Sequence, residues 1–197
     1  MKKGLIIVLI IIALVILVSL RQHKKTDAPN AGSAYNNLSY QVEGQDIMLN
    51  GGVAITDTAA GSESKTTTRV FGNEVMADIN NDGMEDVAFI LTSDGGGTGT
   101  FYYVVAALKT ATGYTGTNAV FIGDRIAPQT TEFHNGFIVV NYADRGIGEP
   151  MTAPATIGVS KTYTVDNGVL LEIIQDMETE YDSTLEMCAI KNKILSF

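Results

Sequence analysis

Two patterns of apolar residues divide this chain. Residues 4–20 form an unbroken apolar run, Gly-Leu-Ile-Ile-Val-Leu-Ile-Ile-Ile-Ala-Leu-Val-Ile-Leu-Val-Ser-Leu, with Lys2 and Lys3 before it and Arg21, His23, Lys24 and Lys25 after it. As a helix the run is roughly 25 Å long, slightly short of a hydrocarbon core of about 30 Å. The flanking bases can reach the headgroups and close that gap. A span inside lipid must satisfy its own backbone polar groups, which leaves a helix as the form. The run therefore predicts a transmembrane helix with basic flanks over residues 1–25, a signal anchor. A cleaved secretory signal is the competing reading. The positive start suits it, but the apolar stretch exceeds the usual roughly 7–15 residues and no small-x-small site follows directly. With so short an N-terminus kept inside, the expected topology is a single pass of the cytoplasmic membrane, with residues 26–197 extracytoplasmic.

The second pattern starts near Tyr40. Residues 26–38 are small, polar and unpatterned, and read as a flexible linker. Over residues 39–175 the apolar positions come in short runs rich in Val, Ile, Tyr and Phe, separated by turn residues. Asn50-Gly51-Gly52, His134-Asn135-Gly136 and Asp166-Asn167-Gly168 each stand between two such runs, the signature of β-hairpins. Runs 86–91, 100–108 and 118–122 are strongly apolar, as central strands are. Strand runs at this spacing with no helical pattern among them predict a mainly β fold, a single antiparallel β-sandwich or barrel-like domain behind the N-terminal transmembrane helix. Only the tail, residues 176–197, carries a spacing compatible with a helix, at Leu185, Cys188, Ile190 and Ile194. No period of 20–50 residues is present, which disfavours a propeller or solenoid.

Charge narrows the partners. The chain carries −9, yet its first 25 residues hold five of the 13 Lys and Arg and none of the 22 acids, so the remainder has eight bases against 22 acids, a net of −14. Such a surface repels nucleic acid and suits divalent cations or basic partners. Cys188 is the only cysteine, which rules out an intrachain disulfide. A chain of this length beyond the linker buries a core without one.

One segment carries recognisable chemistry. Asp78-Ile79-Asn80-Asn81-Asp82-Gly83-Met84-Glu85-Asp86 places oxygen-bearing side chains at positions 1, 3, 5 and 9, with Gly83 at position 6. Ca²⁺ takes six to eight oxygens, alternate acidic residues on a sharply turning backbone supply them, and the carbonyl of Met84 adds another. Position 12 is Phe89 where an EF-hand has a bidentate Glu, and strand-like runs flank the loop. The segment instead resembles the Asp-x-Asn-x-Asp-Gly-x-x-Asp calcium loops of FG-GAP and related β-repeat proteins, over about fifteen residues and once only. That likeness implies Ca²⁺ held by Asp78, Asn80, Asp82, Met84 and Asp86. The alternative is an Asx-rich turn joining two strands without metal.

Over some 90 residues the chain also resembles a group of uncharacterised bacterial membrane-anchored envelope proteins. The likeness rests on Asp-Ile-Asn-Asn-Asp-Gly, Gly-Thr-Phe-Tyr-Tyr at 99–103, Gly-Asp-Arg-Ile-Ala-Pro-Gln at 123–129, Val-Asn-Tyr-Ala-Asp-Arg at 140–145 and Gly-Glu-Pro-Met at 148–151. It implies export and attachment to the cell envelope, and it assigns no catalytic residue.

Other motifs point less far. The glycine-rich stretch 93–99 matches neither a Walker loop nor a dinucleotide fingerprint and reads as an interstrand loop. Asp124-Arg125 and Asp144-Arg145, with Glu149 nearby, suit either an acid–base pair in a cleft or ion pairs that pin loops. His23 and His134 form no triad with a nucleophile elbow, which is absent. The sequence therefore favours a membrane-anchored extracytoplasmic binding or structural module with a calcium loop, touching the bilayer through residues 4–20. Its protein or cell-wall partner is not specified. The alternatives are an envelope hydrolase using Asp144, Glu149 or Asp124, and an inhibitor of a basic wall-degrading enzyme.

Overall fold

The structure, a computed structural model, describes residues 34–59 and 61–174. The helix expected over 4–20 and the tail over 176–197 lie outside the described residues. No helix among the described residues is long and apolar enough to cross a membrane.

The fold is mainly β. A 3₁₀ turn (Tyr35–Asn37) precedes β1 (Ser39–Val42), β2 (Gln45–Met48), β3 (Val53–Asp57), β4 (Lys65–Ala77), β5 (Asp86–Asp94) and β6 (Phe101–Thr110). There follow β7 (Gly113–Gly116), β8 (Val120–Asp124), β9 (Ala127–His134), β10 (Phe137–Asp144), β11 (Ile157–Asp166) and β12 (Val169–Ile173). All strand pairs are antiparallel and form three sheets: a β1-β2 hairpin, a six-stranded sheet β3-β4-β5-β6-β7, and a four-stranded sheet β12-β11-β10-β9. Strand β8 shares with β7 the outer edge of β6, since Tyr103 pairs with both Leu91 and Phe121, and Ala107 with both Val87 and Gly116.

The apolar runs of β5 and β6 explain the layering. A strand alternates its side chains between two faces, so a run without polar breaks must be covered on both. Val87, Phe89 and Leu91, with Tyr103, Val105 and Ala107, face the 3₁₀ turn and the hairpin, where Tyr35, Tyr40, Val42, Ile47 and Leu49 complete one core. Ala88 and Ile90, with Val104, Ala106 and Leu108, face the four-stranded sheet and pack with Ile138, Val140, Tyr142, Tyr163 and Leu170 in a second. The four-stranded sheet also approaches the central one along its margins, with β9 beside β4 and β12 beside β8.

Three residues stitch these layers together. The Thr117 N–H donates to the Ala106 carbonyl at 2.9 Å, and its hydroxyl accepts from the Ala106 N–H at 2.9 Å. The Gln41 N–H donates to the Thr117 carbonyl at 3.2 Å and the Ala119 N–H to the Gln41 carbonyl at 2.7 Å, joining β1. The Asn118 amide donates to the Leu170 carbonyl at 2.9 Å and accepts from the Leu170 N–H at 2.8 Å, imitating a backbone partner for β12.

Two sequence expectations shift, and one strand lies where none was expected. The linker expected over 26–38 gives way to ordered structure from Ala34: Tyr35 is buried with its ring 4.8 Å from that of Phe89, and Leu38 packs against the same core. The turn at Asn50-Gly51-Gly52 forms, with positive φ at both glycines and mutual Asn50–Val53 hydrogen bonds, but no hairpin follows. Strand β2 pairs back to β1 through the turn Glu43-Gly44, and β3 leaves for β4. The buried Leu49, whose N–H donates to the Leu38 carbonyl at 2.9 Å, draws the chain into the hairpin layer before the turn. The strand not expected is β4, whose polar start, Lys65-Thr-Thr-Thr-Arg69, hides a long strand interrupted by register shifts around Gly72. The hairpins expected at Asn135-Gly136 and Asn167-Gly168 do form, each on two residues of positive φ.

Candidate functional site

The 78–86 loop links β4 to β5 and closes on itself through its own carboxylates. The Asp78 carboxylate accepts the N–H groups of Asp82 and Gly83, both at 2.9 Å. The Asn80 side-chain oxygen accepts the Asp82 N–H at 3.0 Å, and Asp82 accepts the Met84 N–H at 2.8 Å and the Asn80 amide at 2.9 Å. Gly83 has a φ of 85°, the left-handed turn for which glycine was expected at this position. Asp78, Asn80 and Asp82 thus turn their oxygens onto amides of their own loop.

Asp86 is different. It is fully buried, with one oxygen accepting the Lys109 N–H at 2.7 Å and the other the N–H groups of Ile79 at 3.0 Å and Asn80 at 3.3 Å. Burial pushes its carboxyl up, against the opposing pull of these three donors. The side chain clamps the start of the loop to the end of β6. Among the described residues no three His, Cys, Asp or Glu side chains gather closely enough to hold a metal by themselves. A hard cation takes an all-oxygen donor set, and the expected ligands, the Asp78, Asn80, Asp82 and Asp86 side chains with the Met84 carbonyl, all belong to this loop, each of the four side chains accepting hydrogen bonds within the protein.

The second group of expected residues lies at the opposite end of β6. Asp124 accepts the Arg125 guanidinium at 2.9 Å and the Thr100 N–H at 3.0 Å. Asp144 accepts the Arg145 N–H at 2.7 Å, and Glu149 accepts the Gly146 N–H at 2.8 Å. The Arg145 guanidinium is only 3.8 Å from the Asp144 carboxylate at its nearest approach. It donates instead to the carbonyls of Ala153 at 2.8 Å, Arg125 at 2.9 Å and Asp124 at 3.3 Å. Of the two expected Asp–Arg pairs, the first is made directly, and the second arginine ties together the β8–β9 turn and the 145–156 loop. Each of these carboxylates holds loop structure.

Sequence patterns gave no sign of a third feature. Where the hairpin, β7 and the β11–β12 turn meet, they leave an open groove of about 710 Å³ whose floor includes Thr117 and Asn118. Ser39, Gln41 and Asp46 line it from the hairpin, and Tyr114 and Thr115 from β7. Gly116 allows the closest approach of its walls, because a Cβ there would lie 2.2 Å from the Ser39 carbonyl oxygen. The Lys109 ammonium sits 4.3 Å from the centroid of the Tyr114 ring. The lining comes from four separate stretches of chain, and nothing in any one of them marks a site.

No protein-family model, curated protein or solved structure compared with the chain matches it.

Proposed function

We propose that the chain is a membrane-anchored extracytoplasmic binding module: an N-terminal anchor over residues 4–20, a tether, and one sandwich-like β domain with a calcium loop. The observation that carries this reading is the division of labour among its polar groups. Asp124, Asp144 and Glu149 are engaged in holding loops, whereas the Gln41, Asp46, Tyr114 and Thr115 side chains line a ligand-sized groove and make no hydrogen bond among the described residues. Groups engaged in structure favour binding over a hydrolase mechanism, which needs an acid and a base free to exchange protons.

Localisation and calcium are tested together. A reporter active only outside the cytoplasm, fused after Phe197, should be active, and the chain should fractionate at full length with membranes. A shortened soluble form would remove the anchor from this reading. For the loop, Ca²⁺ should bind at roughly 10⁻⁴–10⁻³ M, the range of extracellular modules. At tenfold excess that adds about 1.4 kcal/mol, a rise of roughly 3–6 °C in Tm. Asp82→Ala should abolish the increment, and Mg²⁺ should give less of it, because its octahedron is stricter. Identical wild-type melts in EDTA and in Ca²⁺ would leave the loop as an Asx turn.

A further inference from the structure

The groove where the three layers meet has a composition that selects among ligands. Among the described residues no Lys, Arg or His lines it, and the only charged lining residue is Asp46. The lining itself offers an anion no counter-charge, the nearby Lys109 ammonium is engaged over the Tyr114 ring, and the domain is already strongly acidic, so phosphates and acidic polymers are disfavoured. A hydrocarbon chain fits no better. It would strip water from Gln41, Asp46 and Thr115 without replacing their hydrogen bonds, which is unfavourable for each group left unsatisfied. The volume of about 710 Å³ falls within the range of small-molecule sites.

We propose that this groove binds a neutral saccharide, deepening the binding-module reading on which the proposal rests. A pyranose carries hydroxyls around its rim and C–H groups on its faces, and both have counterparts here. The Gln41 amide offers donors and an acceptor, the Asp46 carboxylate accepts, and the Thr115 and Tyr114 hydroxyls do both. The Tyr114 ring supplies an apolar surface for a C–H face. Lys109, the cross-strand partner of Tyr114 and outside the groove lining, places its ammonium over the ring and favours one orientation of it. An open groove, rather than an enclosed cavity, lets a sugar chain run through with several rings in contact. Gly116 keeps the groove in this form, since a side chain there would drive β7 away from the Ser39 carbonyl.

The test uses the purified full-length chain in amine-oxide micelles, a detergent without a sugar headgroup. Fluorotyrosine is incorporated, and the Tyr114 signal is identified by its loss in Tyr114→Phe. Chitotetraose, maltotetraose and cellotetraose are titrated to roughly 10 mM, the weak end of specific recognition. An oligogalacturonate serves as anionic control and an uncharged Ser/Thr/Gly-rich peptide as a second arm. At least one neutral oligosaccharide should move the Tyr114 signal saturably. Gln41→Ala/Thr115→Ala should weaken that binding at least tenfold at unchanged Tm, since both side chains are exposed and make no hydrogen bond among the described residues. Phe121→Ala, an exposed aromatic outside the groove lining, should bind as wild type does. A shift with the peptide alone overturns the saccharide and keeps the binding module. A preference for the oligogalacturonate, or undiminished binding by the double variant, overturns the assignment of ligand or of groove. Silence in every arm removes the groove as a binding site, whereas failure of the anchored topology appears separately in the reporter fusion.

Discussion

A carboxylate buried among apolar side chains is tolerated only where donors surround it, and Asp86 meets three backbone N–H groups. Asp86→Ala leaves those donors without an acceptor and should destabilise the protein by about 3–5 kcal/mol in urea unfolding, whether or not Ca²⁺ is present. Asp86→Asn keeps one oxygen and should lose less. Asp82 lies on the exposed part of the same loop, and Asp82→Ala in EDTA should change stability by no more than about 1 kcal/mol. Equal effects of the alanine changes at 82 and 86 would show that the buried Asp86 is no more needed for the fold than the exposed Asp82. The spacing Asp-x-Asn-x-Asp-Gly made the loop legible in the sequence, down to the glycine of positive φ. The role of Asp86 was not legible, because one of its donors, the Lys109 N–H, comes from 23 residues away and burial is set by the strands around it.

At the scale of elements, legibility followed the range of the interaction. Asn135-Gly136 and Asn167-Gly168 specify their hairpins locally, through positive φ at both turn residues. The two-sided burial of β5 and β6 was readable from apolar runs without polar breaks. The fate of β2 and β3 was not. Their turn is as well formed as the others, yet Leu49 and the Leu38 carbonyl decide the pairing at longer range. The groove is less legible still, since its walls meet only once three sheets have assembled. Gly116 records that meeting. Gly116→Ala pushes a methyl group against the Ser39 carbonyl, where its Cβ would stand 2.2 Å away, and against the Tyr40 ring at 2.9 Å. Overpacking of this kind should cost about 1–3 kcal/mol and lower the Tm. A melt like that of the wild type would mean that β1 and β7 separate freely.

The tyrosines set a property of the molecule as a whole. Burial pushes the phenols of Tyr35 and Tyr142 up to about 12, with the Glu74 carboxylate adding to the first and the charges of Asp144 and Glu172 to the second. Tyr40, Tyr103 and Tyr163 are pushed higher still, chiefly by burial. In the unfolded chain these groups lose their protons near pH 10. Above that pH the native state holds more protons than the unfolded one, so stability must fall as pH rises. The slope should persist from about pH 10 to about 12, the value to which Tyr35 and Tyr142 are raised. Absorbance of the phenolates, read without interference because the chain has no tryptophan, should rise first for the less buried tyrosines and then, for the five buried ones, in one cooperative step that coincides with loss of the far-ultraviolet β signal. Gradual ionisation of these five with the β signal intact would show that they are reached by solvent in the native state. That step is expected to be single because of Thr117, Asn118 and Ala119. The amide protons of Ala106, Gln41 and Leu170, in three different sheets, are each held by an oxygen of Thr117 or Asn118. In heavy water these three should exchange at one common rate, that of global opening, rather than sheet by sheet. A protease would then find one door into the domain, and it opens only when all three layers open.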